Sequence, residues 1–162
     1  MAQSPNLIVF ARQPHFGAGK TRLAAKTSKW QAWQFQRRQI LALRKLSRDP
    51  RWRLTFIWAH TQGTGDLGAR LERALNGPVG PKRLVIGADT LGLKPAHLAR
   101  ALRALNRTPH VLGPCPDGGF WLIGTRQPVR LRGIRWSSEF ALEDTAKALK
   151  NIRFISELAD LD

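Results

Sequence analysis

Carboxylates are scarce in this chain, and three of them sit beside glycines. Its 162 residues include 11 Asp and Glu against 27 Lys and Arg. Asp66 lies in GTGDLG, Asp89 in IGADTLG and Asp117 in CPDGGF. Hard carboxylate oxygens held in turns at strand ends suit a divalent cation or a substrate hydroxyl. Aspartate is also a good turn former and helix N-cap, and that plainer role stands beside the chemical one for each of the three.

A second candidate is basic. Gly17, Gly19, Lys20 and Thr21 spell GAGKT, followed by Arg22. A true P-loop needs a glycine five residues before its final Gly-Lys pair, and here that residue is Pro14, which lacks the N–H and the open φ of the phosphate cradle. The more general physics survives, because a strand, a glycine-containing loop and a helix start make a site for phosphate oxygens. Lys20 and Arg22 in a first helical turn oppose the helix dipole unless an anion lies between them. A solvated basic turn is the alternative. Cys115 is the one cysteine, so it has no disulfide partner within the chain and no multi-cysteine zinc site. His15, His60, His97 and His110 are scattered and read as structural or exposed, with none spaced as a base for Cys115.

The elements that must hold these residues alternate in type. Short apolar runs over residues 7–10, 54–58, 84–86, 111–112, 120–123 and 152–155 read as strands, with 134–136 as a further short one. Helical spacing predicts helices over 21–46, from an Asp66 N-cap to 75, over 95–106, and from Ser137 or Ser138 to 150. Strands alternating with helices imply an α/β fold: one domain over 1–162, three layers α/β/α, with a mostly parallel sheet. Ligands of such sheets bind beyond the carboxyl ends of strands, where the glycine-flanked aspartates fall.

The formal charge is +16, which raises nucleic-acid binding as a function class. The cations are spread from Arg12 to Arg153 without a polybasic tail, so a solvated surface or nonspecific nucleic-acid contact accounts for most of them. The six tryptophans could stack on bases, but Trp58 sits in an apolar run and Trp30 and Trp33 on a helical stripe, which favours packing. No apolar run approaches the ~20 residues that span a bilayer. The N-terminal sequence lacks a basic stretch followed by a long apolar one, so no signal peptide and a cytoplasmic location are expected.

Several motifs in order carry a resemblance. Phe10-Ala11-Arg12-Gln13-Pro14 and Lys20-Thr21-Arg22-Leu23 come first, then Gln62 through Arg70 around GDLG, and Ile86 through Leu93 around Asp89. Val111 through Gly124 around Asp117-Gly118-Gly119 follows, then Trp136-Ser137-Ser138 and the pair Asp160-Leu161-Asp162. In these the chain resembles a GT-A-like transferase family of the nucleotide-diphospho-sugar transferase superfamily. That family is itself similar to 2-phospholactate guanylyltransferase and molybdenum cofactor guanylyltransferase. Leu91 stands where the family carries proline, and the segment between Trp58 and Gln62 is shorter than usual for it.

The resemblance implies a GT-A-like fold and a metal-dependent transferase. It would use a nucleoside triphosphate or a nucleotide-sugar, with an acceptor of unspecified kind. Mg²⁺ or Mn²⁺ would be held by Asp89, with Asp117 or Asp162 as further contacts. Arg12, Lys20 and Arg22 would neutralise phosphate charge, Gly17, Gly19 and Thr21 would shape the phosphate loop, and Gly118 and Gly119 would let the backbone approach the substrate. Two other readings stand beside it: a basic nucleic-acid-binding module, and a family member that binds nucleotide without turnover.

Overall fold

The structure, a computed structural model, describes residues 3–12, 25, 27–77 and 82–160. Six strands form one sheet: β1 (Asn6–Ala11), β2 (Arg53–Trp58), β3 (Arg83–Gly87), β4 (His110–Pro114), β5 (Phe120–Thr125) and β6 (Ile152–Phe154). Their order is β2-β1-β3-β5-β4-β6. β1 runs parallel to β2 and β3, and β4 runs parallel to β6. β5 alone runs against its neighbours, because a short turn rather than a helical crossover joins it to β4.

Among the described residues, four α-helices cover the sheet: α1 (Lys29–Arg44), α2 (Leu67–Leu75), α3 (Pro95–Ala104) and α4 (Ala141–Leu149). The alternation of strand side chains separates two cores. Leu7, Val9, Leu84 and Ile86 face α1 and α3, meeting Ile40, Leu43, Leu98 and Leu102. Ile8, Val85, Leu112 and Ile123 face the other way, meeting Leu71 and Leu75 of α2 and Leu149 of α4. This is the three-layer α/β/α arrangement expected from the pattern, with both sheet faces buried, as largely parallel sheets require.

Three boundaries differ from the sequence reading. The helix expected over 21–46 does not run through Ser28, whose backbone is extended and whose hydroxyl accepts from Gln31 N–H at 3.1 Å, opening α1 at Lys29. Residues 134–136 form no strand. Ile134 is buried, but the next backbone N–H, that of Arg135, donates to the Asp144 carboxylate at 3.0 Å instead of to a strand. The last helix opens at Ala141 rather than at Ser137 or Ser138, and Ser138 Oγ accepts from Phe140 N–H in the preceding turn. The tryptophans divide as well: Trp52 and Trp121 are buried, whereas Trp30 stays 53% exposed.

Candidate functional site

β1 and β3 end on the same rim as β4, and the candidate residues follow those ends. Beyond β3 the chain turns through Asp89 and Thr90. Thr90 forms an isolated antiparallel bridge with Asp160, and Leu91 N–H donates to the Ala159 carbonyl at 2.8 Å. Leu158 N–H donates to the Pro114 carbonyl at 3.1 Å. The segment after β6 is therefore laid between the loop after β3 and the end of β4.

Asp160 comes to rest against Cys115, whose thiol donates to Oδ2 at 3.6 Å. Asp160 is exposed as a residue, yet the chain crowds its carboxyl. Desolvation pushes the carboxyl above the ordinary range, the Cys115 and Thr90 side chains draw it back, and the charges of Asp89 and Asp117 raise it further. The Cys115 thiol is pushed up to about 12, by burial first and then by Asp160. A thiol so protonated is no nucleophile at neutral pH. Thr90 is 7% exposed, and its Oγ, close enough to the Asp160 carboxyl to draw its pKa down, forms no well-aligned hydrogen bond among the described residues. A buried hydroxyl without a well-aligned partner is costly, and this one lies beside the Asp160 carboxyl.

Asp117 occupies the turn between β4 and β5. It is exposed, and its Oδ1 accepts from Gly119 N–H at 2.9 Å, which shapes the turn. Gly118 has φ +86°, and a Cβ there would lie 2.0 Å from the Glu139 carbonyl oxygen. Packing against Glu139 therefore requires glycine at this position. Arg12 lies exposed just past β1, at the same rim. Gly17, Gly19, Lys20, Thr21, Arg22 and Asp162 lie outside the described residues. The structure thus brings Asp89 and Asp117 together with Asp160, the other half of the Asp160-Leu161-Asp162 pair and absent from the metal set drawn from sequence. Among the described residues, no three His, Cys, Asp or Glu side chains gather closely enough to hold a metal ion by themselves.

The third glycine-flanked aspartate has the plainer role. Asp66 caps α2, accepting from Ala69 N–H at 2.8 Å. Around it Gln62, 8% exposed, donates to the Ile57 carbonyl at 3.2 Å and accepts from Arg70 at 2.9 Å, while Arg73 donates to the Thr64 carbonyl. The Gln62–Arg70 motif is thus a joint that locks β2 to α2. His110 is equally structural: it is buried and shares a hydrogen bond with Thr125 Oγ at 2.9 Å. His97 Nδ1 accepts from Lys94 N–H at the start of α3.

With this geometry in place, comparison with known proteins supplies the family. The profile of DUF2064, described as uncharacterized proteins conserved in bacteria, matches residues 13–138. The chain belongs to the DUF2064 family. No curated protein matches its sequence. The DUF2064 chain is similar in structure to a protein from Desulfovibrio desulfuricans G20, provisionally named a nucleotide-diphospho-sugar transferase. The TM-score is 0.85 at 21% identity, covering 99% of this chain and 83% of that one. At that identity the likeness establishes a shared fold. Among the described residues, no helix of this DUF2064 member is long and apolar enough to cross a membrane.

Proposed function

We propose that this DUF2064 protein is a transferase acting on a nucleotide substrate at the rim where the strands end. The reading rests on one observation above all: Asp89 and Asp117 each lie within electrostatic reach of Asp160, beside a buried Thr90 hydroxyl without a well-aligned hydrogen-bond partner among the described residues. The shared fold with a protein named for nucleotide-diphospho-sugar transfer supports it. Like charges crowded beside an orphaned polar group are unfavourable in isolation, and a cation with its ligands relieves both terms.

The donor set fits Mg²⁺ or Mn²⁺. All its groups are hard oxygens, and Mg²⁺ takes only one or two carboxylates and keeps its waters. Asp89 and Asp117 would hold it, with Asp162 as a further contact. When bound, the ion would offset phosphate charge as the leaving group departs. Arg12, Lys20 and Arg22 would pair with the phosphates in a loop shaped by Gly17, Gly19 and Thr21. Gly119 would let the backbone come close to the substrate, as would Gly118 on whichever side Glu139 leaves open. The transfer is then either nucleotidyl, with the acceptor attacking the α-phosphorus and pyrophosphate leaving, or glycosyl, with attack at the sugar carbon and nucleoside diphosphate leaving. Positioning and charge stabilisation do the work in both cases, without a protein nucleophile. A cytoplasmic setting belongs to the same reading, since the thiol of Cys115 needs no oxidising compartment.

Thermal unfolding with a panel of nucleoside triphosphates and nucleotide-sugars, each with and without Mg²⁺, tests the proposal. Stabilisation by triphosphates alone assigns nucleotidyl transfer, and stabilisation by nucleotide-sugars assigns glycosyl transfer. No metal-dependent stabilisation by any of them sinks the reading. Retained binding without turnover across a broad acceptor screen would make the chain a non-catalytic nucleotide binder.

A further inference from the structure

The face of the sheet that α3 covers has a chemistry that the transferase reading leaves unused. A cavity of about 510 Å³ opens between the C-terminal half of α3 and β6. Arg100, Arg103, Arg107 and Arg153 line it, with Asn106 and Ser156, and no carboxylate does. Arg100 and Arg103 stand three residues apart on α3 and so share its face, and Arg107 follows in the turn after it. Arg153 meets them from the sheet. It pairs in register with Val111, whose side chain packs in the core under α1 and α3, so Arg153 projects from the edge strand on the α3 side.

Among the described residues, Arg103, Arg107 and Arg153 are exposed and make no ion pair or hydrogen bond. One or two arginines near a helix C-terminus complement its dipole, but four guanidiniums around one hollow exceed that need and repel one another. The cations beside the hollow are engaged: Lys82 bonds the Asn106 side chain, and Arg126 donates to the Thr108 carbonyl at 3.4 Å. The uncommitted charge is therefore local to the hollow. Its wall is also held in place. Arg100 donates to Ser156 Oγ at 2.7 Å, and the Ser156 carbonyl accepts from the indole N–H of buried Trp121 at 2.9 Å. Ile155 N–H donates to the Leu112 carbonyl at 3.0 Å. A wall fixed beforehand lowers the ordering cost of binding.

We propose that the hollow between α3 and β6 binds a compact oligophosphate, with adjacent phosphoryl groups on Arg103, Arg107 and Arg153. Planar guanidinium forks match phosphate oxygens bidentately, and charge-assisted bonds of this kind are the strong ones. A single orthophosphate would leave part of the cation set unpaired. The arginines converge from one helix, its following turn and one strand, so they enclose a point rather than mark a path, which favours a short run of phosphoryl groups over a polymer. Such a run occurs free or as the tail of a nucleotide. The hollow shares no residue with the carboxylate site and stands independently of the transferase reading.

Isothermal titration calorimetry with tripolyphosphate, in a chelating buffer that keeps divalent cations from the carboxylate rim, tests it. The doubly substituted R103E/R107E protein is compared with R38E/R48E, which changes net charge equally on exposed residues elsewhere. R103E/R107E should lose at least ~10-fold in affinity, and R153Q, from the facing wall, at least ~5-fold, as for lost hydrogen bonds to a charged group. The control pair should lose less than about threefold, by screened long-range attraction only. Orthophosphate should bind the unsubstituted protein at least ~10-fold more weakly than tripolyphosphate. Circular dichroism of each variant establishes that it is folded. A nucleoside triphosphate separates the two sources. Weaker binding than tripolyphosphate assigns a free oligophosphate, and equal or tighter binding that R103E/R107E still loses assigns a nucleotide tail; both support the site. No saturable binding by ~1 mM tripolyphosphate, equal losses in the two charge pairs, or unchanged affinity in R153Q would each overturn the proposal. So would citrate bound as tightly as tripolyphosphate, or an oligonucleotide of equal phosphate count bound more tightly.

Discussion

The two rims of the sheet carry opposite chemistry. Where β1, β3 and β4 end, Asp89, Asp117 and Asp160 gather beside glycine turns, and a buried hydroxyl goes unpaired. Where β2, β3 and β4 begin, Arg53, Lys82 and Arg107 stand without a comparable carboxylate cluster, and Asp49 is occupied by Arg51 at 2.6 Å. Most of the +16 charge can therefore be solvated surface while three of the eleven carboxylates gather near one rim. The lesson is that net charge describes the second rim and says little about the first. The two should respond independently to substitution.

The sharpest way to break that comparison is Asp89→Asn. Turnover should fall by ~100-fold or more, as for loss of a group that stabilises transition-state charge, with little change in melting temperature. R103E/R107E should leave turnover unchanged in the same assay. Equal loss in both proteins would mean that the rims are not separate.

Next in size is Gly118→Ala in the turn that carries Asp117. Its φ of +86° and the 2.0 Å approach to Glu139 leave no room for a methyl group. Urea unfolding should show a loss of about 2 kcal/mol or more, the range for strain at a special φ combined with overpacking. A change within about 0.5 kcal/mol, the ordinary surface range, would show that the turn relaxes freely.

Thr90→Val acts in the opposite direction. Removing a buried hydroxyl that has no partner should stabilise the free protein by about 1 kcal/mol, while the nucleotide-dependent thermal shift shrinks. Destabilisation in urea would mean that the hydroxyl already serves Asp160 in the free protein.

The smallest effect belongs to the rim of strand starts. Burial lowers the pKa of His110 from 6.5, so the unfolded chain binds its proton before the folded one does. Stability from this group is complete above pH 6.5 and declines as the pH falls below it, by at most about 1.4 kcal/mol per pH unit. His110→Gln should flatten that part of the stability–pH curve. An unchanged slope would show that other groups carry it.

Much of this architecture could be read from residues near one another in sequence. Short continuous apolar runs marked the strands because both sheet faces are buried, and Asp66 marked the start of α2 because an N-cap needs only its own next turn. The failures came where a distant group intervened. The stretch 134–136 has the apolar content of a strand, but Asp144 of α4 captures the Arg135 backbone N–H. Ser28 ends a long helical pattern because its hydroxyl offers the Gln31 N–H a local alternative.

The candidate site divides in the same way. Composition and spacing alone determined that carboxylates are few, that Asp89 and Asp117 follow strands, and that basic residues could not all be paired. Only the tertiary structure decided that Asp160 joins them. A return of the chain after β6 lays it against Thr90 and Pro114, and such a contact across many residues depends on the assembled sheet rather than on local propensity. The fold likewise gave Asp66 to a helix cap and gathered four arginines around one hollow between α3 and β6, because helix direction and strand order choose where each residue ends.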